Sequence, residues 1–339
     1  MSTAKGKRND KERLKLRDFL DRFSTLAALL ILALILTIAT KGNFIKLHNI
    51  SNVLLQASVN AVIAAGMTVV IITAGIDLSV GSIVALAGVV MASFLKYGIP
   101  IIKGGHLAHI PLSPGLSLVI GLVVALIVGA LLGLINGFMI TKMNLPPFIA
   151  TLAMMSIARG MALVYTSGRP ISGFHENFRF IANGSVFCIP MPVIIVAIVY
   201  LVFYIFLNHT KAGRYIYAIG GNEEAAYLSG INVNKYKLLA YVISGLTAAI
   251  GAIILTSRIN SGQPTAGIMY ELDAIAATVI GGTSLVGGEG SVIGTLIGAL
   301  IISVLRNGLN LLNVSSYWQQ VIIGLVIALA VFLDKFRRR

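Results

Sequence analysis

Residues 116–138 read LSLVIGLVVALIVGALLGLINGF, a run without a single charged side chain. A helix needs about 20 apolar residues to cross the hydrocarbon core of a bilayer, so this run is long enough to span it. The run does not alternate between apolar and polar residues, which indicates a helix and not a strand of a membrane β-barrel. Small residues recur at every fourth position and would let neighbouring helices pack closely; they are Gly121, Ala125, Gly129, Gly133 and Gly137.

Similar apolar runs along the chain predict an all-α integral membrane protein with about ten transmembrane helices. The predicted spans are residues 23–40, 52–73, 80–95, 116–138, 147–166, 191–208, 237–256, 272–286, 291–308 and 317–334. The chain then divides into a basic N-terminal segment, a transmembrane domain and a basic tail, at residues 1–22, 23–334 and 335–339.

The composition supports a membrane protein and argues against two other classes. Hydrophobic residues make up 57% of the chain and charged residues 11%, whereas soluble domains carry about 25% charged residues. The net charge of +14 comes from basic clusters at the chain ends and between apolar runs, which argues against binding of nucleic acid. Cys188 is the only cysteine, so an intrachain disulfide and a cysteine metal cluster are both excluded.

The distribution of Lys and Arg predicts the orientation of the spans. With ten spans both chain ends lie on one side, and most of the 26 basic residues then lie on that side as well. The positive-inside rule places this side in the cytoplasm. Its longest loop, residues 209–237, is predicted to contain a short helix that Asn222 caps at its start and Gly230 ends in a left-handed conformation.

The same loop carries the first resemblance to a known family. Glu224-Ala225-Ala226, followed by three residues and Gly230, is similar to the EAA-x-x-x-G loop with which permeases of ABC importers dock on their ATP-binding subunit. The I-x-L-P continuation of that loop is absent, which favours the ten-helix, type II kind of permease. Longer stretches between about Leu47 and Asp334 resemble the bacterial ribose permease family, among them GIDLSVGS (75–82), PFIATLAMM (147–155), YELDAIAATVIGGTSL (270–285) and NGLNLL (307–312).

This resemblance implies the permease subunit of an ATP-driven importer that moves a monosaccharide, in the first place D-ribose, across a bacterial inner membrane. The implied partners are a cytoplasmic ATP-binding subunit, a periplasmic or lipid-anchored sugar-binding protein and a second copy of the chain, besides the membrane lipid. No phosphate-binding G-x-x-x-x-G-K-[ST] motif occurs in the sequence, so we expect ATP and Mg²⁺ to be bound by the partner subunit, and this chain not to be an enzyme.

The coupling residues carried over from the family loop are predicted to be Asn222, Glu223, Glu224, Ala225, Ala226, Ser229 and Gly230. We expect the two alanines to permit close approach of the ATP-binding subunit and the two glutamates to contact it. Movement of this helix would then switch the spans between outward-facing and inward-facing states.

Several polar residues near the predicted spans are candidates for the sugar pathway. Gln56 and Asn60 lie one helical turn apart on one face, and Thr73, Asp77 and Ser79 follow them. Their amide, hydroxyl and carboxylate groups can bind the hydroxyls of a sugar. The alternatives are hydrogen bonds between helices for the whole set and a helix cap for Asp77.

Charged residues at or beyond the spans lead to two further expectations. Arg159 is the one basic residue well inside a span. Asp273 and Glu271 lie at a compatible depth, at the outer end of the predicted span 272–286, and a structural ion pair with them would offset the cost of its burial. At the outer face Lys46, Arg169, Arg258 and Gln263 could meet acidic residues of the binding protein, with ordinary solvation of the loops as the alternative.

Other transport functions remain open at this stage. An ion-coupled secondary sugar transporter could use Asp77 as its coupling carboxylate, and a passive channel would need neither an ATPase nor a binding protein. Within the ABC permeases, the sugar could also be xylose, galactose or a furanosyl quorum signal.

Overall fold

The computed structural model describes residues 25–103 and 106–337, which are predominantly helical. Three helices begin at or next to a proline, whose missing N–H is not needed in the first turn. The helices are α1 Thr25–Ala39, α2 Leu47–Ile72, α3 Val80–Tyr97, α4 Pro114–Thr141, α5 Pro147–Thr166, α6 Glu176–Asn183, α7 Met191–His209, α8 Lys211–Gly221, α9 Glu223–Leu228, α10 Val233–Ile259, α11 Tyr270–Ile280, α12 Val292–Leu311 and α13 Ser316–Arg337.

Within these described residues, seven helices are long and apolar enough to cross a membrane, namely α2, α3, α4, α5, α7, α10 and α12. They coincide with seven of the predicted spans. The apolar stretches of α1 and α13 are shorter, and the predicted segment 1–22 lies outside the described residues.

The predicted span 272–286 is wrong in its second half. Helix α11 has 11 residues and ends at Ile280. Gly281 and Gly282 follow, and Gly282 has a φ of +89°, which only glycine adopts without strain. The chain then continues as a loop, residues 281–291, until α12 begins.

Short strand pairs in the loops were missed by the all-α prediction. β1 Ile99–Lys103 pairs antiparallel with β2 His106–Ile110 between α3 and α4. β3 Ile171–Ser172 pairs with β6 Ser261–Gly262, and β4 Ser185–Val186 pairs with β5 Ile189–Pro190. Strands of two residues are too short to leave a periodic pattern in the sequence, and the five-residue strands β1 and β2 read IPIIK and HLAHI, without regular alternation.

The core of the bundle is formed by α2, α3 and α10, which are largely buried by their neighbours. Helix α10 packs against α2, α3 and α4, and α2 also packs against α7, α11 and α12. The outer helices α4, α5 and α7 keep wide apolar faces exposed, with residues such as Leu131, Ile157 and Leu201. Exposed apolar faces of this width suit contact with lipid.

The small-residue stripe of α4 packs helices together, as predicted. A Cβ built on Gly129 would overlap the carbonyl of Gly245 on α10, and one built on Gly133 would overlap the carbonyl of Tyr241. The two backbones are therefore in direct contact, which is the arrangement that small residues permit where lipid supplies no hydrophobic drive for association.

The bundle has two distinct ends, which we name by their elements. The α9 end carries α8, α9, the turn 73–79 between α2 and α3, and loop 281–291. The opposite end carries the three strand pairs and α6. The loops at the two ends hold most of the residues singled out from the sequence.

Candidate functional site

At the α9 end, helices α8 and α9 form a small platform whose caps follow local sequence rules. The hydroxyl oxygen of Thr210 accepts a hydrogen bond from the Gly213 N–H at 3.1 Å at the start of α8. Asn222 ends α8 and caps α9, because its side-chain oxygen accepts from the Ala225 N–H at 2.9 Å. Gly230 has a φ of +82° just after α9. The predicted N-cap and left-handed end are both confirmed.

The inward side of α9 is held by Ala226. Its side chain is 5% exposed and packs with Ile219 of α8 and Val233 of α10. Ala226 therefore does not face a partner, and the expectation that it permits close approach of one is wrong. Ile219, Ala226 and Val233 belong to three successive helices, so no periodicity within one helix reveals this inward face in the sequence.

The outward side of α9 presents two large apolar side chains that the sequence analysis missed. Tyr227 is 70% exposed and Leu228 is 78% exposed. Glu223, Glu224 and Ala225 are exposed beside them. A polar helix of six residues with an exposed Tyr-Leu pair has the composition of a docking site, since aromatic residues are enriched where proteins bind each other.

A groove of about 740 Å³ lies beside α9, bordered by Glu223, Glu224, Tyr227, Gly230, Asn232 and Asn234. Its wall is stiffened by an ion pair between Lys237 of α10 and Glu223, with 2.5 Å between Nζ and Oε2. Of the predicted coupling residues, Glu223, Glu224 and Gly230 border this groove, and all except the buried Ala226 are exposed.

A buried polar cluster lies just above the α9 end. One carboxylate oxygen of Asp77 accepts from the Ser79 N–H at 2.9 Å and from the Ser79 hydroxyl at 2.6 Å. The other oxygen accepts from the Ser244 hydroxyl at 2.7 Å, and Asn136 donates to the Ser79 hydroxyl oxygen at 2.8 Å. The cluster therefore ties the turn between α2 and α3 to α10 and to α4.

Thr73, Asp77 and Ser79 are candidates either for the lining of the sugar pathway or for hydrogen bonds between helices, and their burial decides between the two. All three side chains are buried, and the Thr73 hydroxyl donates to the Val70 carbonyl of its own helix at 2.7 Å. The structure thus favours hydrogen bonding between and within helices over a pathway lining for these three residues.

A second polar cluster lies nearer the opposite end, where α2, α11 and α12 meet. Nη2 of Arg306 donates to both carboxylate oxygens of Asp273, at 2.9 and 2.8 Å. The Asn60 amide donates to the same carboxylate at 3.4 Å, and Gln56 is half-buried one turn away on α2. The Arg306 side chain is 36% exposed, whereas that of Asp273 is 3% exposed.

The predicted ion pair of Arg159 is therefore wrong for Asp273, whereas Glu271, the other predicted partner, does attract the Arg159 guanidinium electrostatically. Asp273 binds Arg306 because α11 and α12 are antiparallel neighbours whose charged residues lie at the same end. Nη1 of Arg159 instead donates to the Pro264 and Ala266 carbonyls, both at 2.7 Å. Backbone carbonyls of a loop thus solvate this guanidinium, a partner that spacing between charged residues cannot reveal.

The residues expected to meet a binding protein fall into two groups at the opposite end. Lys46, Arg169 and Gln263 are exposed. Arg258 is half-buried, and its Nη1 donates to the Leu55 carbonyl of α2 at 3.5 Å. Arg258 is therefore turned toward the bundle, and only the other three are free to contact another protein.

The sequence is similar to that of known permeases along almost its whole length. Residues 49–331 match the family model described as branched-chain amino acid transport system / permease component. The chain is 48% identical to the ribose import permease protein of Haemophilus influenzae over 97% of its length and 98% of that protein's. It is 46% identical to the ribose import permease protein of Bacillus subtilis, covering 96% of both chains.

More distant similarity extends to permeases whose names carry other sugars. The chain is 37% identical to the D-allose transport system permease protein of Escherichia coli, over 98% of this chain and 97% of that one. No solved structure was found to match.

Proposed function

Since the chain belongs to the family of branched-chain amino acid transport system / permease components, we propose that it is the membrane-spanning subunit of an ATP-driven importer of ribose. The observation that carries this proposal is the similarity to ribose import permeases along almost the entire chain. The protein crosses the membrane several times, and its similarity to bacterial ribose import permeases places it in a bacterial inner membrane. Transport then proceeds by alternating access.

The proposed topology has ten spans and both chain ends in the cytoplasm. The ten spans are the seven long helices together with α1, α11 and α13. Helix α11 enters the membrane only partway. The α9 end then faces the cytoplasm, in agreement with the excess of Lys and Arg in the loops on that side.

The exposed surface of α9 is the proposed contact for a separate ATP-binding subunit, which binds ATP and Mg²⁺. Its exposed Tyr227 and Leu228 and its acidic first turn are the features that support this assignment. A sugar-binding protein docks at the opposite end, near Lys46, Arg169 and Gln263. A second copy of the chain provides the second ATP-binding subunit with its own platform.

The proposed sugar pathway follows the cluster of Gln56, Asn60, Asp273 and Arg306. A charge that is partly exposed on a transmembrane helix is too costly to face hydrocarbon, so this face borders water or another protein. The Arg306–Asp273 pair with Asn60 offers both donors and acceptors, which is what the hydroxyls of a sugar require.

Replacing Arg306 tests this pathway, provided that Asp273 is replaced at the same time. Otherwise the unpaired carboxylate destabilises the fold and hides any effect on transport. Arg306→Met alone is expected to lower the amount of folded chain, because it leaves a buried carboxylate without its cation. Arg306→Met with Asp273→Asn removes both charges and keeps the hydrogen bond to Asn60. This double variant is expected to fold, yet to take up ribose about tenfold more slowly, since a hydrogen bond to a charged group contributes about 1.5–3 kcal/mol.

Initial uptake rates per folded molecule in membrane vesicles measure the effect. If the double variant takes up ribose as fast as the unchanged chain, the ion pair has a structural role only.

The function as a whole is tested by uptake of radiolabelled ribose into proteoliposomes that contain the chain and its ATP-binding subunit, with the binding protein added outside. We expect uptake that requires enclosed ATP and persists when an uncoupler collapses ion gradients. Allose and galactose in place of ribose test the choice of sugar. Uptake that follows an ion gradient without ATP would show a secondary transporter, and uptake without the binding protein and ATP would show a channel.

A further inference from the structure

Helix α8 crosses two other segments at Gly220, with backbone directly on backbone. The Gly288 N–H of loop 281–291 donates to the carbonyl of Ile72, the last residue of α2, at 2.9 Å. A Cβ built on Gly220 would overlap that same carbonyl and would lie 2.5 Å from the Gly288 nitrogen. The end of α2, loop 281–291 and α8 therefore meet at one point, which we call the glycine junction (Ile72, Gly220 and Gly288).

A second contact joins α8 to the same loop one turn earlier. The Tyr217 hydroxyl donates to the Gly290 carbonyl at 2.9 Å. The loop itself is held by its own backbone, because the Ser284 N–H donates to the Glu289 carbonyl at 3.0 Å and the Gly287 N–H donates to the Ser284 carbonyl at 3.1 Å. A loop braced in this way moves as a unit when α8 moves.

On its other side, α8 is bound firmly to α9. Asn222 belongs to both helices as the end of one and the cap of the next. Ala226 of α9 packs on Ile219 of α8, the residue before Gly220. A displacement of α9 is thus passed to Gly220 across a single helical turn.

The segments that meet at the junction lead to the polar cluster. Ile72 ends α2, which carries Asn60, and loop 281–291 joins α11, which carries Asp273, to α12, which carries Arg306. Helix α8 therefore contacts the end of α2 directly and reaches α11 and α12 through the loop that joins them.

On this basis we propose that Gly220, with Tyr217, is a positioning element that transmits the movement of α9 to α2, α11 and α12 during transport. The proposal rests on the proposed function and adds to it the contact through which the ATP-binding subunit acts on the sugar pathway. Glycine is required at position 220 because any side chain would separate α8 from the carbonyl of Ile72.

Two neighbouring glycines of α8 make a matched test. Gly220→Ala places a methyl group in the junction, whereas Gly221→Ala places the same group in open space, with nothing within 4 Å. Both changes lie in the same helix, and alanine is the better helix former at both positions. The third variant, Tyr217→Phe, removes the hydrogen bond to Gly290 and adds no atom.

The readouts are ribose uptake and ATP hydrolysis in the same proteoliposomes, with binding of the ATP-binding subunit measured separately. We expect Gly220→Ala to keep the ATP-binding subunit bound and to lower ribose uptake per ATP hydrolysed about tenfold, within the range reported for residues that carry coupling between sites. Gly221→Ala should stay within about twofold of the unchanged chain, and Tyr217→Phe should lose about threefold, as for one neutral hydrogen bond.

The inference is overturned if Gly220→Ala transports as much ribose per ATP as Gly221→Ala. If Gly220→Ala fails to fold, Tyr217→Phe decides, because unchanged uptake per ATP in that variant overturns the inference and a loss supports it. Failure of the proposed function is distinguished by the unchanged chain and Gly221→Ala, neither of which would then show ATP-driven uptake of ribose.

Discussion

A chain in which Tyr227 and Leu228 are both alanine is expected to fold normally and to bind its ATP-binding subunit at least about 100-fold more weakly, which corresponds to about 2.7 kcal/mol. The folded state should be unaffected, because the two side chains are 70% and 78% exposed and support no other part of the chain. Tyrosine is one of the residue types enriched among the few that dominate the binding energy of an interface, and the exposed leucine beside it adds apolar area to bury.

The measurement is the affinity of the detergent-solubilised chain for the purified ATP-binding subunit, with size-exclusion profiles to check folding. Tyr317→Ala is the matched control, since Tyr317 is a tyrosine of similar exposure at the start of α13, at the opposite end of the bundle. If the docking site is correct, ATP-driven uptake should fall together with the affinity. If the variant of Tyr227 and Leu228 binds with unchanged affinity, the ATP-binding subunit docks elsewhere.

Replacing Asp77 by leucine is expected to prevent accumulation of folded chain. The carboxylate accepts hydrogen bonds from the Ser79 N–H and hydroxyl and from the Ser244 hydroxyl, all within the buried core. Leucine would leave these donors without an acceptor, at about 1–3 kcal/mol each, so that the total approaches the 5–15 kcal/mol by which proteins are stable.

Folded yield and melting temperature in detergent test this expectation. Asp77→Asn should be intermediate, because its amide oxygen can still accept from Ser79 while its NH₂ group donates to the Ser244 oxygen. Ser82→Ala is the control, since it removes one buried hydrogen bond to the Ser79 carbonyl and should cost about 1 kcal/mol. Normal folding of Asp77→Asn together with lost transport would return Asp77 to the sugar pathway.

Much of the fold could be predicted because the bilayer restricts what the chain can do. Seven apolar runs correspond to seven long helices, since a lipid-exposed backbone has to satisfy its hydrogen bonds within the helix. The α9 helix could also be predicted, since Asn222 and Gly230 act on groups within three residues of themselves and need no tertiary contact.

What could not be predicted depends on contacts between distant segments. Similar depth in the membrane predicts that Asp273 pairs with Arg159, but depth does not tell which helix is the neighbour, and the neighbour that carries the cation is α12 with Arg306. Arg159 donates hydrogen bonds to backbone carbonyls. Because every residue has a carbonyl, the sequence cannot show which ones accept these bonds. Ala226 was assigned to a partner by its motif, whereas its neighbours Ile219 and Val233 bury it.

The shortness of α11 has a consequence for how the protein is made. Its 11 residues rise roughly 16 Å, about half the thickness of the hydrocarbon core. Such a segment is too short to be inserted on its own. In the proposed orientation it is joined to α10 on the outer side, so it enters the bilayer together with α10 as a helical hairpin. Asp273 then crosses before Arg306 has been made, and its ion pair forms only when α12 has followed.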